Sequence, residues 1–302
     1  MGKKKDEVVE VDYEAIAAPT LVPPGSHITD LQKEYNPARL PRKLDKARGK
    51  GALKVAKAEL ADLQDRFYAD GDRSLLVILQ GMDAAGKDGT IKHVLQGVNP
   101  QGIDVHSFKS PSSLERSHDY LWRHEIATPV LGKIAIFNRS QYENVLVTKV
   151  HPEYLWPKTS VPVPDDIWAQ RYQEINDWER RLTNQGTVIV KLFLNLSKEE
   201  QARRFLSRVD EEDKNWKVSP SDMAERAYWD DYLQAFTDML NNTSTEYAPW
   251  HVLPADHKWF LRLSTIAVIL EAMRQIDPQY PEVSDEVKQN LEEMRAALKA
   301  EL

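Results

Sequence analysis

The chain predicts an α/β fold built on a central parallel sheet, and three observations carry that expectation. Residues 75–79 form an all-apolar run bounded by Gly71 and Gly81, as expected of a strand buried on both faces. Further short apolar runs recur at 103–108, 134–137, 188–194 and, less regularly, 251–253. Stretches with helical character separate them, and this alternation is the pattern of a parallel sheet flanked by helices.

The elements follow in order. Residues 1–44 carry Pro19, Pro23, Pro24, Pro37 and Pro41 without sustained periodicity, so they read as an arm. From about 45 to 68, Ala56, Leu60, Leu63 and Phe67 recur at helical spacing with Lys and Asp opposite, the mark of a helix docked by one face. Four prolines between 152 and 164 mark an excursion before a long helix over 167–182. A charged helix is expected over 198–210 and a strongly apolar one over 260–276, with a charged amphipathic segment from 285 to the end. The expected organisation is an arm at 1–44, one domain at 45–280 containing a lid at about 198–240, and a C-terminal helix at 281–302.

Composition narrows the function classes. At 302 residues and 41% hydrophobic the chain can bury a large core unaided. It contains no cysteine, which excludes disulfides, thiolate metal sites and cysteine nucleophiles and suits a reducing, cytoplasmic setting. No apolar run is long enough to span a bilayer. A formal charge of −7 argues against broad nucleic-acid binding; a polyanionic ligand would need a local basic groove.

The chemistry is concentrated after the first long strand. Gly81-Met82-Asp83-Ala84-Ala85-Gly86-Lys87-Asp88-Gly89-Thr90 fits G-x-x-x-x-G-K and opens an apolar helix through Ile91, Val94 and Leu95. Glycines let the backbone turn its N–H groups onto a phosphate, the helix N-terminus adds positive potential, and Lys87 reaches forward. Asp88 stands where Ser or Thr normally meets the metal, and Asp83 lies inside the loop. Two carboxylates suit an anion site if they hold Mg²⁺; Asp88 is equally readable as a helix cap. The 134–137 strand runs into Asn138-Arg139-Ser140-Gln141-Tyr142-Glu143, at the sheet edge where ligands of such folds bind.

Taken together, GMDAAGKDGT at 81–90, FNRSQYE at 137–143 and DKNWKVSPSD at 213–222 resemble the polyphosphate kinase 2 family over roughly residues 45–280. The resemblance implies a P-loop kinase fold of the thymidylate-kinase type, three-layered with a helical lid. It further implies polyphosphate as phosphoryl donor or acceptor, adenine nucleotides (guanine nucleotides being an open alternative), Mg²⁺ or Mn²⁺, and assembly as a homotetramer or dimer. It makes Asp83 a metal carboxylate, Lys87 the loop lysine and Arg139 an arginine beside a second metal position. Many relatives place Asp first and Asn last across this strand end; here Asn138 is first and Glu143 last, as in the branch often called class III that accepts AMP and ADP. Glu143 is thereby a candidate metal ligand together with Asp83 and Asn138; an ordinary first-turn acid is the alternative.

Phosphoryl transfer calls for cations on the equatorial oxygens. Arg203, Arg204 and Arg208 on the 198–210 helix supply candidates, with Arg204 and Arg208 one turn apart. Pairing with Glu199, Glu200 and Glu211 is the competing expectation. Lys92, Lys109, Arg116, Arg123 and Lys133 are candidates for a polyphosphate track, while His118 and His124 are expected to pack rather than catalyse.

Overall fold

A computed structural model describes residues 11–42, 44–155 and 162–302. Five strands carry the sheet's parallel body: β2 (Ser74–Gln80), β3 (Ile103–Ser107), β4 (Ile134–Asn138), β5 (Thr187–Asn195) and β6 (Trp250–Pro254). The arm adds β1 (Leu21–Val22), antiparallel to β6, so the spatial order is β1-β6-β5-β2-β4-β3. The expected all-parallel sheet is therefore mixed at one edge. A two-residue strand pairs through its backbone and leaves no apolar periodicity to read.

The main helices are α1 (Lys46–Asp70), α2 (Lys87–Val94), α3 (Ile167–Asn184), α4 (Lys198–Asp210), α5 (Trp229–Thr243), α6 (Lys258–Ile276) and α7 (Asp285–Glu301). Helix α1 starts where the Asp45 side chain accepts from Arg48 N at 2.8 Å and stops at Gly71, whose φ of 67° is left-handed. Its buried stripe of Ala52, Leu53, Ala56, Leu60 and Phe67 packs with α6 and one face of the sheet. Helices α3 and α5 cover the other face, against Ile78, Phe137, Phe193 and Trp250. Three layers result, with β2 buried at every residue between them.

Between β3 and β4 the expected helix is replaced by two four-residue turns, Ser113–Arg116 and Trp122–Glu125. Residues 156–161 of the proline-rich excursion at 152–164 lie outside the described residues. The stretch read as a lid contains α4, a 3-10 segment Glu212–Lys217, a short helix Pro220–Glu225 and α5. The second half of α5 is embedded in the body through Ala235, Phe236, Met239 and Leu240. Helix α7 is exposed along its whole length.

Candidate active site

The phosphate-loop sequence folds as its residue types require. Strand β2 delivers the chain to Gly81, where an added Cβ would stand 3.0 Å from the Leu194 carbonyl oxygen and 3.2 Å from the Ala85 Cβ. Gly86 holds the cap position of α2 at φ 106° with no side-chain cap, which leaves first-turn N–H groups facing outward for an anion. Between them Ala84 is left-handed at φ 63°, a strained conformation for a residue with a side chain and one that clusters at functional loops.

Lys87 is buried, and its Nζ donates to the Gly81 carbonyl at 2.5 Å and the Met82 carbonyl at 3.2 Å. An ammonium has three donors, so one is left to meet a ligand. Burial and the nearby Arg139 pull its pKa down to about 8, against the opposing pull of Asp83, Glu143 and Asp88.

Arg139 occupies the next strand end in an equally unusual conformation, with φ at 62°. Its N–H donates to the Leu79 carbonyl at 3.1 Å, which extends the β2–β4 ladder by one bond. The left-handed turn aims its guanidinium between two carboxylates, Asp83 at 2.5 Å and Glu143 at 3.2 Å. Glu143 and Asp83 hold the Arg139 pKa above its ordinary value although burial opposes them. Burial pushes the Asp83 carboxyl up, but Arg139, Lys87 and Arg208 outweigh it and keep the group below the usual carboxylate range.

Asn138 turns the other way, donating to Asp88 Oδ1 at 2.7 Å and to Ser107 Oγ at 3.4 Å. Asp88 therefore ties the first turn of α2 to the end of β4 rather than capping α2. Gln80, fully buried at the end of an apolar strand, has its amide satisfied when it is oriented to donate to Glu143 Oε1 at 3.0 Å and accept from Ser140 N at 3.2 Å. Sequence reading missed Gln80; the signal available was an amide interrupting a run of buried apolar residues.

Asp83, Asp88, Asn138 and Glu143 offer only oxygen donors, the chemistry that a hard cation such as Mg²⁺ or Mn²⁺ accepts. No group of three acidic or histidine side chains converges on one point among the described residues. Such a donor set fits an ion that keeps phosphate and water in its coordination sphere rather than one held in an all-protein cage.

Of the arginines on α4, Arg208 faces the site: it lies 3.7 Å from Asp222 and acts electrostatically on Asp83. Arg204 does not. All five of its N–H donors are committed, to Glu200 at 2.9 Å, Ala84 O at 2.9 Å, Ala85 O at 2.8 Å, Ala255 O at 2.5 Å and Asp256 O at 3.3 Å. The expectation that it grips phosphate is corrected, because a guanidinium has only five donors; it is a strut under the phosphate loop. Replacing Arg204 with Met should lower stability by about 3–5 kcal/mol, since it leaves four carbonyls without their donor and Glu200 with Arg203 alone. Urea denaturation measures this, and a loss below ~1 kcal/mol would mean that the strut is dispensable.

The proposed track is partly dismantled. Arg123 is 5% exposed, donates to the Lys109 carbonyl at 2.8 Å and lies over the Phe108 ring at 5.4 Å, so its side chain is tied into packing. Lys133 precedes β4 and pairs with Asp104 at 3.4 Å. It thus lies at the amino edge of the sheet, whereas the phosphate loop follows the carboxyl end of the parallel neighbour β2. Charge alone does not distinguish the two edges. Lys109 is exposed just beyond the carboxyl end of β3, and Lys92 is exposed in the last turn of α2. His124 is wholly buried and His118 stacks on Trp122 at 4.0 Å.

One cleft is lined by Gly81, Asp83, Arg139 and Glu143 together with Trp229, Tyr232 and Phe236 of α5. Arg226 also lines it, held by Gln201 Oε1 at 2.6 Å. Its place in the cleft depends on the turn at Arg226–Tyr228, which no periodicity announces.

The family model described as polyphosphate kinase 2 matches residues 43–281. An ADP-polyphosphate phosphotransferase of Rhodopseudomonas palustris is 47% identical over 250 residues, covering 82% of this chain and 86% of its own. An AMP/ADP-polyphosphate phosphotransferase of Meiothermus ruber is 42% identical over 231 residues, covering 76% and 83%. Among solved structures, a polyphosphate kinase 2 from Arthrobacter aurescens TC1 superimposes with a TM-score of 0.83 at 40% identity, covering 91% of this chain and 95% of that one.

Proposed function

Since the chain belongs to the polyphosphate kinase 2 family, we propose that it transfers phosphoryl groups reversibly between inorganic polyphosphate and AMP or ADP, giving ADP or ATP. The observation that carries this reading is one cleft lined both by loop residues Gly81 and Asp83 with Arg139 and by the aromatic side chains Trp229, Tyr232 and Phe236. The charged lining suits the reacting phosphates, and the aromatic lining suits a base.

In-line transfer requires positioning and charge compensation rather than a protein nucleophile. An acceptor phosphate oxygen attacks the terminal polyphosphate phosphorus; the new P–O bond forms as the bridging P–O bond breaks, and the shortened polyphosphate leaves. The loop amides and Lys87 hold one phosphate. Arg139, restrained by Asp83 and Glu143, and Arg208 from the lid face the charge that develops on the equatorial oxygens. A bound Mg²⁺ or Mn²⁺ would be held by Asp83 and Glu143 with Asn138 beside them, and it supplies further charge neutralisation.

Glu143 carries the proposal of dual AMP and ADP use. The Rhodopseudomonas relative is named for ADP and the Meiothermus one for both. Incubation with ADP and long-chain polyphosphate, without ATP, should yield ATP. ATP-only donor use with AMP would instead indicate an ordinary nucleoside monophosphate kinase. In the same assay Glu143→Asn should change the AMP:ADP rate ratio by about tenfold, the scale of one lost charged interaction; an equal fall in both rates contradicts the selective role. Replacing ADP by GDP reads the base preference. No helix among the described residues is long and apolar enough to cross a membrane; a cytoplasmic homo-oligomer forms part of this proposal.

A further inference from the structure

Lys191 lies in the middle of β5, flanked by Ile78 of β2 and Trp250 of β6, and is wholly buried. A lysine at that place is costly unless every donor is used. All three are: Nζ donates to Glu179 Oε2 at 2.7 Å, the Tyr142 hydroxyl at 3.0 Å and the Thr243 carbonyl at 2.6 Å. Glu179, also wholly buried, accepts from Tyr142 at 2.6 Å and from Gln141 Nε2 at 3.1 Å. Burial pushes the Lys191 pKa down and that of Glu179 up, while each charge opposes the shift of the other.

Both ends of this network lead to the cleft. Gln141 and Tyr142 belong to the 3-10 turn Gln141–Asn144 that carries Glu143. The same turn is held from a third side, where Arg171 donates to the Asn144 carbonyl at 2.8 Å. Thr243 ends α5, whose other end presents Trp229 and Tyr232 to the cleft. A buried ion pair is weak evidence for stability, and an apolar pair of similar volume often serves the fold as well. What an apolar pair cannot supply is directed bonds that fix the turn against β5 and α5.

The structure assigns Lys191, Glu179 and Tyr142 a positioning role for the transfer reaction: together they set the place of Glu143 opposite Arg139, and so the fit of AMP against ADP. This inference rests on the proposed function of Glu143. The pair is not in contact with the cleft and takes no part in the chemistry itself.

The test is a double variant, Lys191→Met with Glu179→Leu, alongside Tyr142→Phe, which keeps the ring against Trp250 and removes two bonds. Both are assayed at saturating polyphosphate with AMP and with ADP. The folded double variant should show kcat reduced about 10- to 100-fold, KM for polyphosphate within threefold of wild type, and an AMP:ADP ratio changed at least fivefold. Tyr142→Phe should move the ratio in the same direction by a smaller factor. In a Glu143→Asn background the same changes should leave the ratio where Glu143→Asn alone puts it, because coupled residues are non-additive.

A folded double variant with an unchanged ratio, or additivity in the Glu143→Asn background, overturns the positioning role. Should the double variant fail to fold, Tyr142→Phe with an unchanged ratio is sufficient to overturn it. Wild-type protein inactive with polyphosphate would refute the proposed function instead, so the two failures are separable.

Discussion

Replacing Lys87 with Met should reduce kcat by about 10²- to 10³-fold, the loss typical of a preorganised donor facing developing charge. Methionine keeps the aliphatic stem buried and leaves the Gly81 and Met82 carbonyls without their cation. The fold should survive, so circular dichroism and the denaturation midpoint should stay close to wild type while steady-state turnover collapses. A variant with more than a tenth of wild-type kcat would show that loop amides alone hold the phosphate.

The depressed pKa of Lys87 adds a pH signature with a definite sign. The folded, ligand-free value is about 8 against 10.5 for the free side chain. Below pH 8 folded and unfolded chains both carry the proton, so the folded state bears the whole penalty of burying it. Between 8 and 10.5 the folded state releases the proton first, and this group's contribution to stability rises with pH. A phosphate placed on Nζ favours the charged form, so polyphosphate binding near pH 9 should draw in a proton. Calorimetric titration in buffers of different ionisation enthalpy measures that uptake, which should vanish at pH 6.5 and in Lys87→Met.

Arg139→Ala should be at least as damaging, about 10³- to 10⁵-fold in kcat, the range for an arginine that meets transferring phosphoryl oxygens. Two effects combine. The cation is lost, and Asp83 and Glu143 are released as uncompensated negative charge beside the phosphates. Arg139→Lys separates them, since it restores charge without the fork that spans both carboxylates; it should recover less than a tenth of the lost rate. Rates within tenfold of wild type for the alanine variant would remove Arg139 from the chemistry.

Much of this site was legible because it is local. The loop from Gly81 to Thr90 follows a buried strand and opens a helix, as its glycine and lysine spacing requires, and Asn138–Glu143 sits at the adjacent strand end. What escaped was set by distant partners. Nothing near Lys191 in sequence reveals Thr243, 52 positions away, and a helical arginine such as Arg204 looks like its neighbour Arg208 until its five acceptors are seen. Lys133 and Lys109 carry the same charge, yet only the direction of their strands separates the two edges of the sheet. Leu21–Val22 joins the sheet by backbone pairing that its side chains do not advertise.

Arg204 fastens the middle of α4 to the phosphate loop and to the chain after β6. The early turns of that helix and the loop are consequently one rigid body, and any opening or closing must be absorbed farther along. The 3-10 stretch Glu212–Lys217 and the short helix Pro220–Glu225 lie beyond these bonds. A lid proposed to close there would place the ordering entropy of substrate capture on roughly a dozen residues rather than on the whole 198–240 stretch, while Lys87 and its amides stay set before the ligand arrives.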